Sequence, residues 1–343
     1  MVGTPMTTAT GLGPLPEVLE ARVGRRALSR VLAAEGVPLS ITQNLHQRVP
    51  LSTLAGIFHR AAAQAGDGRL GLDVGCEMSP GEFGLWARYA MQAPTLGAAL
   101  ARTVQTLRVH QTGTAMRVVS HPNGQVAWEY DHPHISAPTF REHTDHIVPV
   151  MLRFIRGFLG PDWKPLSIEV GYPPPGHAPE LESATETPWR FDRPCLAILM
   201  PATALMTEAG QAPAQSGRQP LLGHADVVAD STHEMAYGPV ADIASVAALR
   251  LLDGNSDIEG AARLLGSGRR KIQRRLEEQG LTYRALVTEI RMRRARSLIE
   301  GSEVSLKRIG SELGYSDPAH FTRAFARYYG FPPSCLRDPR RRE

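Results

Sequence analysis

The tightest constraint on this chain is a pattern written twice. Leu265 to Gly280 reads LGSGRRKIQRRLEEQG and Leu313 to Gly330 reads LGYSDPAHFTRAFARYYG, so a Leu-Gly pair returns 48 residues later. Ile272 and Leu276 of the first copy answer to Phe321 and Phe325 of the second, and apolar residues four apart form one buried stripe of a helix. Each copy follows a short helix-forming run, IEGAARLL at Ile258 to Leu265 and LKRIGSEL at Leu306 to Leu313. In these runs Ala262 and Gly310 are small enough for a second helix to cross closely. A short helix, a tight glycine turn and a second helix make the helix-turn-helix arrangement, whose second helix enters the major groove of DNA. One such match has many false positives; two in tandem have few.

The second helix of the later copy has firm ends. Ser316 or Asp317 can cap it, Pro318 suits an early helical position, and Gly330 followed by Pro332 and Pro333 ends it. Phe321, Ala324, Phe325 and Tyr328 form its apolar stripe, and Ala319, Thr322, Arg323, Ala326 and Arg327 its outer face. Short side chains beside arginines favour close approach to an anion, where a merely solvated face would mix acids with bases. In the earlier copy, Arg269, Arg270 and Lys271 occupy the first helical turn, where the helix dipole penalises each cation by about 0.3 to 1 kcal/mol. Gly268 stands where a capping side chain is expected. A bound phosphate reverses both penalties. Arg270, Gln273, Arg274 and Glu277 point outward; Arg pairs bidentately with guanine and Gln with adenine. The candidate DNA contacts are therefore Arg269, Arg270, Lys271, Gln273 and Arg274 on the first helix and Ala319, Thr322, Arg323 and Arg327 on the second. Between the copies, Thr282 to Glu300 reads as a longer joining helix with Leu286, Ile290, Ala295 and Leu298 inward. Its Arg291, Arg293, Arg294 and Arg296 serve either as braces to Glu289 and Glu300 or as phosphate contacts.

Charge separates this region from the rest. From Ala236 to the end there are 20 Lys and Arg against 13 Asp and Glu, and residues 1–235 hold 18 against 21. A basic segment attached to a slightly acidic one points to a polyanion partner. Ala, Thr and Gln beside the bases favour nucleic acid over a membrane surface, which calls for large apolar neighbours. The N-terminus lacks a signal-peptide pattern, and no apolar run approaches the roughly 18 residues of a membrane span, so a cytoplasmic protein is expected. Cys76, Cys195 and Cys335 are too few and too far apart for a disulfide framework or a metal knuckle.

The organisation expected is a disordered tail over 1–17, an α+β domain over 18–205, a Gly/Pro/Gln/Ser-rich linker over 206–237, and an all-α domain over 238–343. Helical periods cover Leu51 to Gly66, Thr95 to Val109 and Arg141 to Gly157. Strand-like runs cover Ala115 to Val119, Val126 to Tyr130, Leu166 to Val170 and Leu196 to Met200, and the Asn123-Gly124 step makes a hairpin of the first two. Strands scattered among helices without strict alternation indicate an α+β fold. Trp128, Tyr130, Trp189 and Phe191 either line a small-molecule pocket or pack a core.

An enzyme reading would have to rest on His143 and His146 with Asp131, His132 and His134 upstream, but no third ligand has metal-site spacing and no catalytic motif is present. No catalytic residue, metal or cofactor is expected. A nonspecific nucleoid-type binder would not need an N-terminal domain of this size.

The C-terminal third resembles the DNA-binding domain of the AraC/XylS family of bacterial transcription regulators. The likeness is carried by Ala261-Ala262 with Leu264-Leu265-Gly266, by Ile272-Gln273-Arg274-Arg275-Leu276, by Arg291 and Ala295, and by GYSDPAHFTRAF through GFPPS. Gly268 and Arg269 depart from the family's usual Ser and Pro. Through LSTLAGIF and TLGAALARTVQTLRVH, residues 20–205 resemble the effector domain of the subgroup related to ornithine-utilisation and mycobacterial virulence regulators. The resemblance implies an α+β sensing domain and a domain of two helix-turn-helix units joined by a long helix. It also implies double-stranded DNA and a small-molecule effector of unidentified chemistry as partners, and admits RNA polymerase and a second copy of the chain, with no membrane partner.

Overall fold

A computed structural model describes residues 3–132, 137–208, 221–230 and 237–337. The chain divides into two compact units, one comprising Met1–Glu35 and Val49–Ala236 and the other Gly36–Arg48 and Tyr237–Glu343.

The first unit contains β1 (Met6–Thr8), α1 (Leu15–Val23), α2 (Arg25–Ala34), β2 (Arg48–Pro50), α3 (Leu51–Ala65), α4 (Leu70–Glu77), α5 (Leu85–Met91) and α6 (Leu96–His110). It continues with β3 (Ala115–His121), β4 (Gln125–Asp131), α7 (Ala137–Leu159), β5 (Ser167–Glu169), α8 (Ala178–Thr185), β6 (Trp189–Arg190), β7 (Leu196–Pro201) and α9 (His224–Asp230). A five-stranded sheet runs β3-β4-β7-β5-β6, antiparallel except for the β5–β6 pair. The hairpin lies where the Asn-Gly step places it: His121 faces Gln125, and Gly124 takes the positive φ of 67° that the turn requires. Because successive strand residues face opposite ways, Val126, Trp128 and Tyr130 join Leu196, Ile198 and Met200 in the main core, while Ala127, Ala197 and Leu199 cluster on the other face.

Helix α7 is the spine of this unit and packs against α3 and α4. A Cβ on Gly71 or Gly75 would lie 2.2 Å from the carbonyl oxygen of Glu142 or His146, so α4 reaches the α7 backbone only with glycine at both places. The contact seats the α7 segment that carries His143 and His146.

Two expectations need correction. The N-terminal stretch expected to be a disordered tail is built into the unit: β1 pairs with β2, the Met6 carbonyl accepts from Thr112 N at 2.8 Å, and Met6, Ala9, Leu12 and Leu15 are buried. The stretch expected to be linker contains α9, whose Val227 is buried in the main core; most of the remaining linker lies outside the described residues.

The second unit is helical: α10 (Ala241–Leu251), α11 (Ile258–Leu264), α12 (Arg269–Glu277), α13 (Tyr283–Gly301), α14 (Leu306–Glu312) and α15 (Pro318–Tyr329). It also takes in residues 36–48, which sequence reading assigned to the N-terminal domain. Ser40 donates to Asp253 at 3.1 Å, and the Gln47 amide to the Ser245 carbonyl at 3.0 Å. Among the described residues, no helix is long and apolar enough to cross a membrane.

Candidate functional site

In the second helix-turn-helix unit, Asp317 caps α15 by accepting from Ala319 N at 2.9 Å, Pro318 is the first helical residue, and Gly330 closes the helix at a φ of 82°. Phe321 and Phe325 are buried, and Phe321 lies against Gly310 of α14, where an added Cβ would be 3.2 Å from the ring carbon. Ala319, Thr322, Arg323 and Arg327 are exposed. Tyr328, expected in the apolar stripe, is 42% exposed; Tyr329 takes the inward place instead, its ring 4.7 Å from Phe325. Both spacings from Phe325 fall within a helical stripe, and the neighbouring Phe331 ring selects Tyr329.

In the first unit, Asp257 caps α11 by accepting from Gly260 N at 2.6 Å, but Gly268 leaves α12 without a side-chain cap. Ile272 and Leu276 are fully buried, whereas Arg269, Arg270, Lys271 and Arg274 are exposed and Gln273 is half-buried. Arg269 is 2.9 Å from Glu259 of α11, and Arg274 is 3.8 Å from Glu278. Pairs this exposed exchange readily for a phosphate. Arg275 is different: its guanidinium donates to both carboxylate oxygens of Asp242 at 2.8 and 2.7 Å and to the Pro239 carbonyl at 2.7 Å. This pair ties α12 to α10.

Thr282 caps α13 by accepting from Ala285 N at 3.1 Å, and Leu286, Val287, Ile290, Met292, Ala295 and Ile299 are buried along it; Leu298, expected inward, is half-buried. The α13 arginines brace the unit. Arg293 is 2.7 Å from Glu289 and Arg296 2.9 Å from Glu300, while Arg291 stacks over Tyr315 and Arg294 is half-buried. Gly314, in the turn of the second helix-turn-helix unit, lies beside the backbone of Gly254 in the turn between α10 and α11.

One feature sequence reading missed lies between α13 and α15. Arg284, Arg291, Arg323 and Arg327 line an open groove together with His320 and three tyrosines, Tyr283, Tyr315 and Tyr328, and no carboxylate is among its lining residues. Four guanidinium groups around one channel make a strong attractor for an anionic polymer. The helical period assigned Arg284 no face, and only the docking of α15 on α13 shows what it joins.

The N-terminal compact unit holds a small, partly open cavity of about 70 Å³. Trp128 and Tyr130 line it, with Leu54, Trp86, Leu107, Met116, Phe154 and the two α7 histidines; Trp189 and Phe191, the other two pocket candidates, pack against each other outside it. His143 and His146 are fully buried, and Phe58 stacks on His146 at 4.2 Å. Burial drives the His143 imidazole well below its ordinary range and His146 down to about 3, so both are neutral. Nearby, burial pushes the Asp145 carboxyl up to about 7, and Tyr172 donates to it. Among the described residues no group of three His, Cys, Asp or Glu side chains is placed to hold a metal. His134 lies outside the described residues.

Residues 26–209 match the family described as the arabinose-binding domain of AraC transcription regulator, N-term, and residues 261–339 match a helix-turn-helix domain family. The chain is 23% identical to the ornithine utilization regulator of Pseudomonas aeruginosa over 322 residues, which cover 94% of this chain and 93% of that protein. It is 41% identical over 69 residues to the HTH-type transcriptional regulator VqsM of the same organism, a match spanning 20% of this chain and 21% of the relative. The crystal structure of the transcriptional regulator CdpR from Pseudomonas aeruginosa superposes at a TM-score of 0.41 with 20% identity, covering 91% of this chain and 96% of that one. With the arabinose-binding match spanning more than half of its length, this protein belongs to the AraC family of transcription regulators and joins a ligand-binding N-terminal domain to a DNA-binding pair of helix-turn-helix units.

Proposed function

We propose that one protomer reads two successive major-groove segments of double-stranded DNA, α12 in one and α15 in the other, and that a small molecule held by the first unit governs the outcome. The groove lined by Arg284, Arg291, Arg323 and Arg327 carries this reading, because its lining holds four cations and no carboxylate, and the one ion pair at its edge, Arg323 with Asp317 at 4.0 Å, is exposed enough to open to a phosphate where the backbone passes beside α15. Arg270, Gln273 and Arg274 on α12, and Thr322 and Arg323 on α15, meet base edges. Arg269, Lys271 and Arg327 meet phosphates, and the short Ala319 lets α15 approach closely. The protein acts in the cytoplasm, with RNA polymerase and a second copy of the chain as further partners and without catalysis of its own.

Spacing provides the test. Helix α13 has 19 residues and is about 28 Å long at 1.5 Å per residue, which holds the two recognition helices roughly one duplex turn apart. A gel-shift series with the full chain on an operator carrying insertions of zero, five and ten base pairs between the two contacted segments is expected to lose most specific binding at five. Binding is not expected to recover at ten, since α13 cannot stretch by a turn. Undiminished binding at five would show that only one unit reads DNA. Equal competition by random duplex would identify a nonspecific binder.

A further inference from the structure

The cavity of the first unit restricts its occupant by chemistry as well as by size. Its walls are mainly apolar, and no Lys, Arg, Asp or Glu is among the lining residues. An ion entering it would give up its hydration without meeting an opposite charge, at a cost of several kcal/mol or more.

The polar groups in the wall are short of partners. Trp128 and His143 are each 2% exposed, yet the indole nitrogen of Trp128 and both ring nitrogens of His143 have no hydrogen-bond partner. The Tyr130 hydroxyl accepts from the Gln111 amide at 2.5 Å, which leaves its own proton to donate, and Thr7 fixes the Gln111 oxygen from the other side at 3.5 Å. A neutral imidazole offers one donor and one acceptor, so the wall holds more donors seeking a partner than acceptors. A buried donor left unmade costs about 1 to 3 kcal/mol, and a structure keeps such groups where a ligand or ordered water completes them.

We propose that this cavity is the effector site and takes a compact, uncharged molecule: an apolar body bearing a carbonyl oxygen, to which the Trp128 N–H and Tyr130 O–H donate. The proposal rests on the reading of the first unit as the effector domain and adds the chemistry of the effector. An amino acid would bury an ammonium and a carboxylate without counterions, and a sugar would bury more hydroxyls than these walls can pair.

Isosteric probes test it on the full chain. Cyclopentanone, methylenecyclopentane, cyclopentylamine and cyclopentanecarboxylate share one ring and differ in the group that meets the donors. Trp86 and Trp128 line the cavity and report occupancy by fluorescence. Cyclopentanone is expected to give a saturable change and to bind about fivefold to tenfold more tightly than methylenecyclopentane, the scale of one buried hydrogen bond. The two charged probes should not displace it. Trp128→Phe and, separately, Tyr130→Phe should each lower the preference for the ketone by about twofold to threefold, the double variant should erase it, and Ala87→Leu, which fills the cavity, should abolish binding of both neutral probes. Equal binding of the ketone and the hydrocarbon, or displacement by either charged probe, would overturn the assignment. No response to any probe would mean that water alone fills the cavity and would also overturn it. Retardation of operator DNA, measured on the same samples, separates this failure from failure of the regulator reading, since DNA binding without probe binding sinks only the cavity proposal.

Discussion

In the second helix-turn-helix unit, Asp317 caps the recognition helix, Pro318 starts it, and an aromatic cluster of Phe321, Phe325, Tyr329 and Phe331 holds it from inside. In the first, the recognition helix begins at an uncapped glycine with three cations in its opening turn, and its inner face offers only Ile272 and Leu276. The first unit adds what the second does without: the buried Arg275–Asp242 pair that fastens α12 to α10. The α15 helix is complete as folded, whereas α12 depends on a neighbouring helix and leaves the positive end of its dipole unanswered. One protomer thus presents two recognition helices with unequal demands for an anion.

The largest effect is expected in the aromatic cluster. Phe325 is fully buried, so Phe325→Ala should cost about 3 to 5 kcal/mol in urea unfolding through lost transfer energy and the cavity left behind. If the second unit tolerated this change with less than about 1 kcal/mol, the aromatic cluster would not be what holds it.

Somewhat smaller is the loss expected on breaking the pair that replaces such a cluster in the first unit. Asp242→Ala leaves the Arg275 guanidinium, 12% exposed, without its anion, and should destabilise by on the order of 3 kcal/mol. Replacing both partners with apolar residues of similar volume should recover most of that loss, because the penalty belongs to the unpaired charge. A double variant as unstable as the single one would show that α12 is held by another contact.

On DNA the two helices should also diverge by position along each helix. Arg274→Ala on α12 or Arg323→Ala on α15 is expected to cost on the order of 1 to 3 kcal/mol and to relax preference at one base position. Arg269→Ala should weaken all duplexes alike and lower the salt slope by about one, with part of the loss offset because its ion pair with Glu259 no longer has to open. Competition binding against single-base operator variants distinguishes the two outcomes. Uniform weakening by Arg274→Ala would reassign that residue to the backbone.

Much of this contrast was readable from the chain. The Asp317 and Pro318 start, the Gly330 stop, the Gly268 departure and the Asn123-Gly124 hairpin are local signals, each set by a residue's own dihedral and hydrogen-bonding preferences. The elements that escaped reading depend on residues distant in the chain. Met6–Thr8 is ordered by Arg48–Pro50 and Thr112, residues 36–48 by Asp253 and Ser245, and Val227 by a core assembled from elsewhere. Tyr328 was misplaced because a helical stripe has an edge, and only the packing of Phe331 against Tyr329 decides which tyrosine crosses it. The groove arginines were visible as charges but not as a set, because α13 and α15 come together only in the fold.

The smallest effect tests the least conspicuous difference between the units. Gly268 sits at φ −74° and ψ 146°, an extended conformation open to any residue, and a Cβ built there meets nothing within 4 Å. Gly268→Ser therefore adds a cap without strain and should raise the unfolding free energy by about 0.5 kcal/mol, from the new hydrogen bond and a less flexible unfolded chain. Its effect on DNA should run the other way. If the first-turn N–H groups of α12 hold a phosphate in the complex, the serine hydroxyl competes for them in the free protein, and the stability gained there is not carried into the bound state. Affinity should then fall by about twofold, the equilibrium counterpart of roughly 0.5 kcal/mol, and the fall should be the same on specific and random duplex because the lost contact reads no base. Asp317→Gly, the reciprocal change on α15, removes an existing cap and should cost a few tenths of a kcal/mol of stability, while the loss of the carboxylate 4.0 Å from Arg323 should leave DNA affinity undiminished. A stabilised Gly268→Ser protein with undiminished affinity would mean that the α12 terminus meets no phosphate, and the unequal capping of the two helices would then be a difference in folding alone.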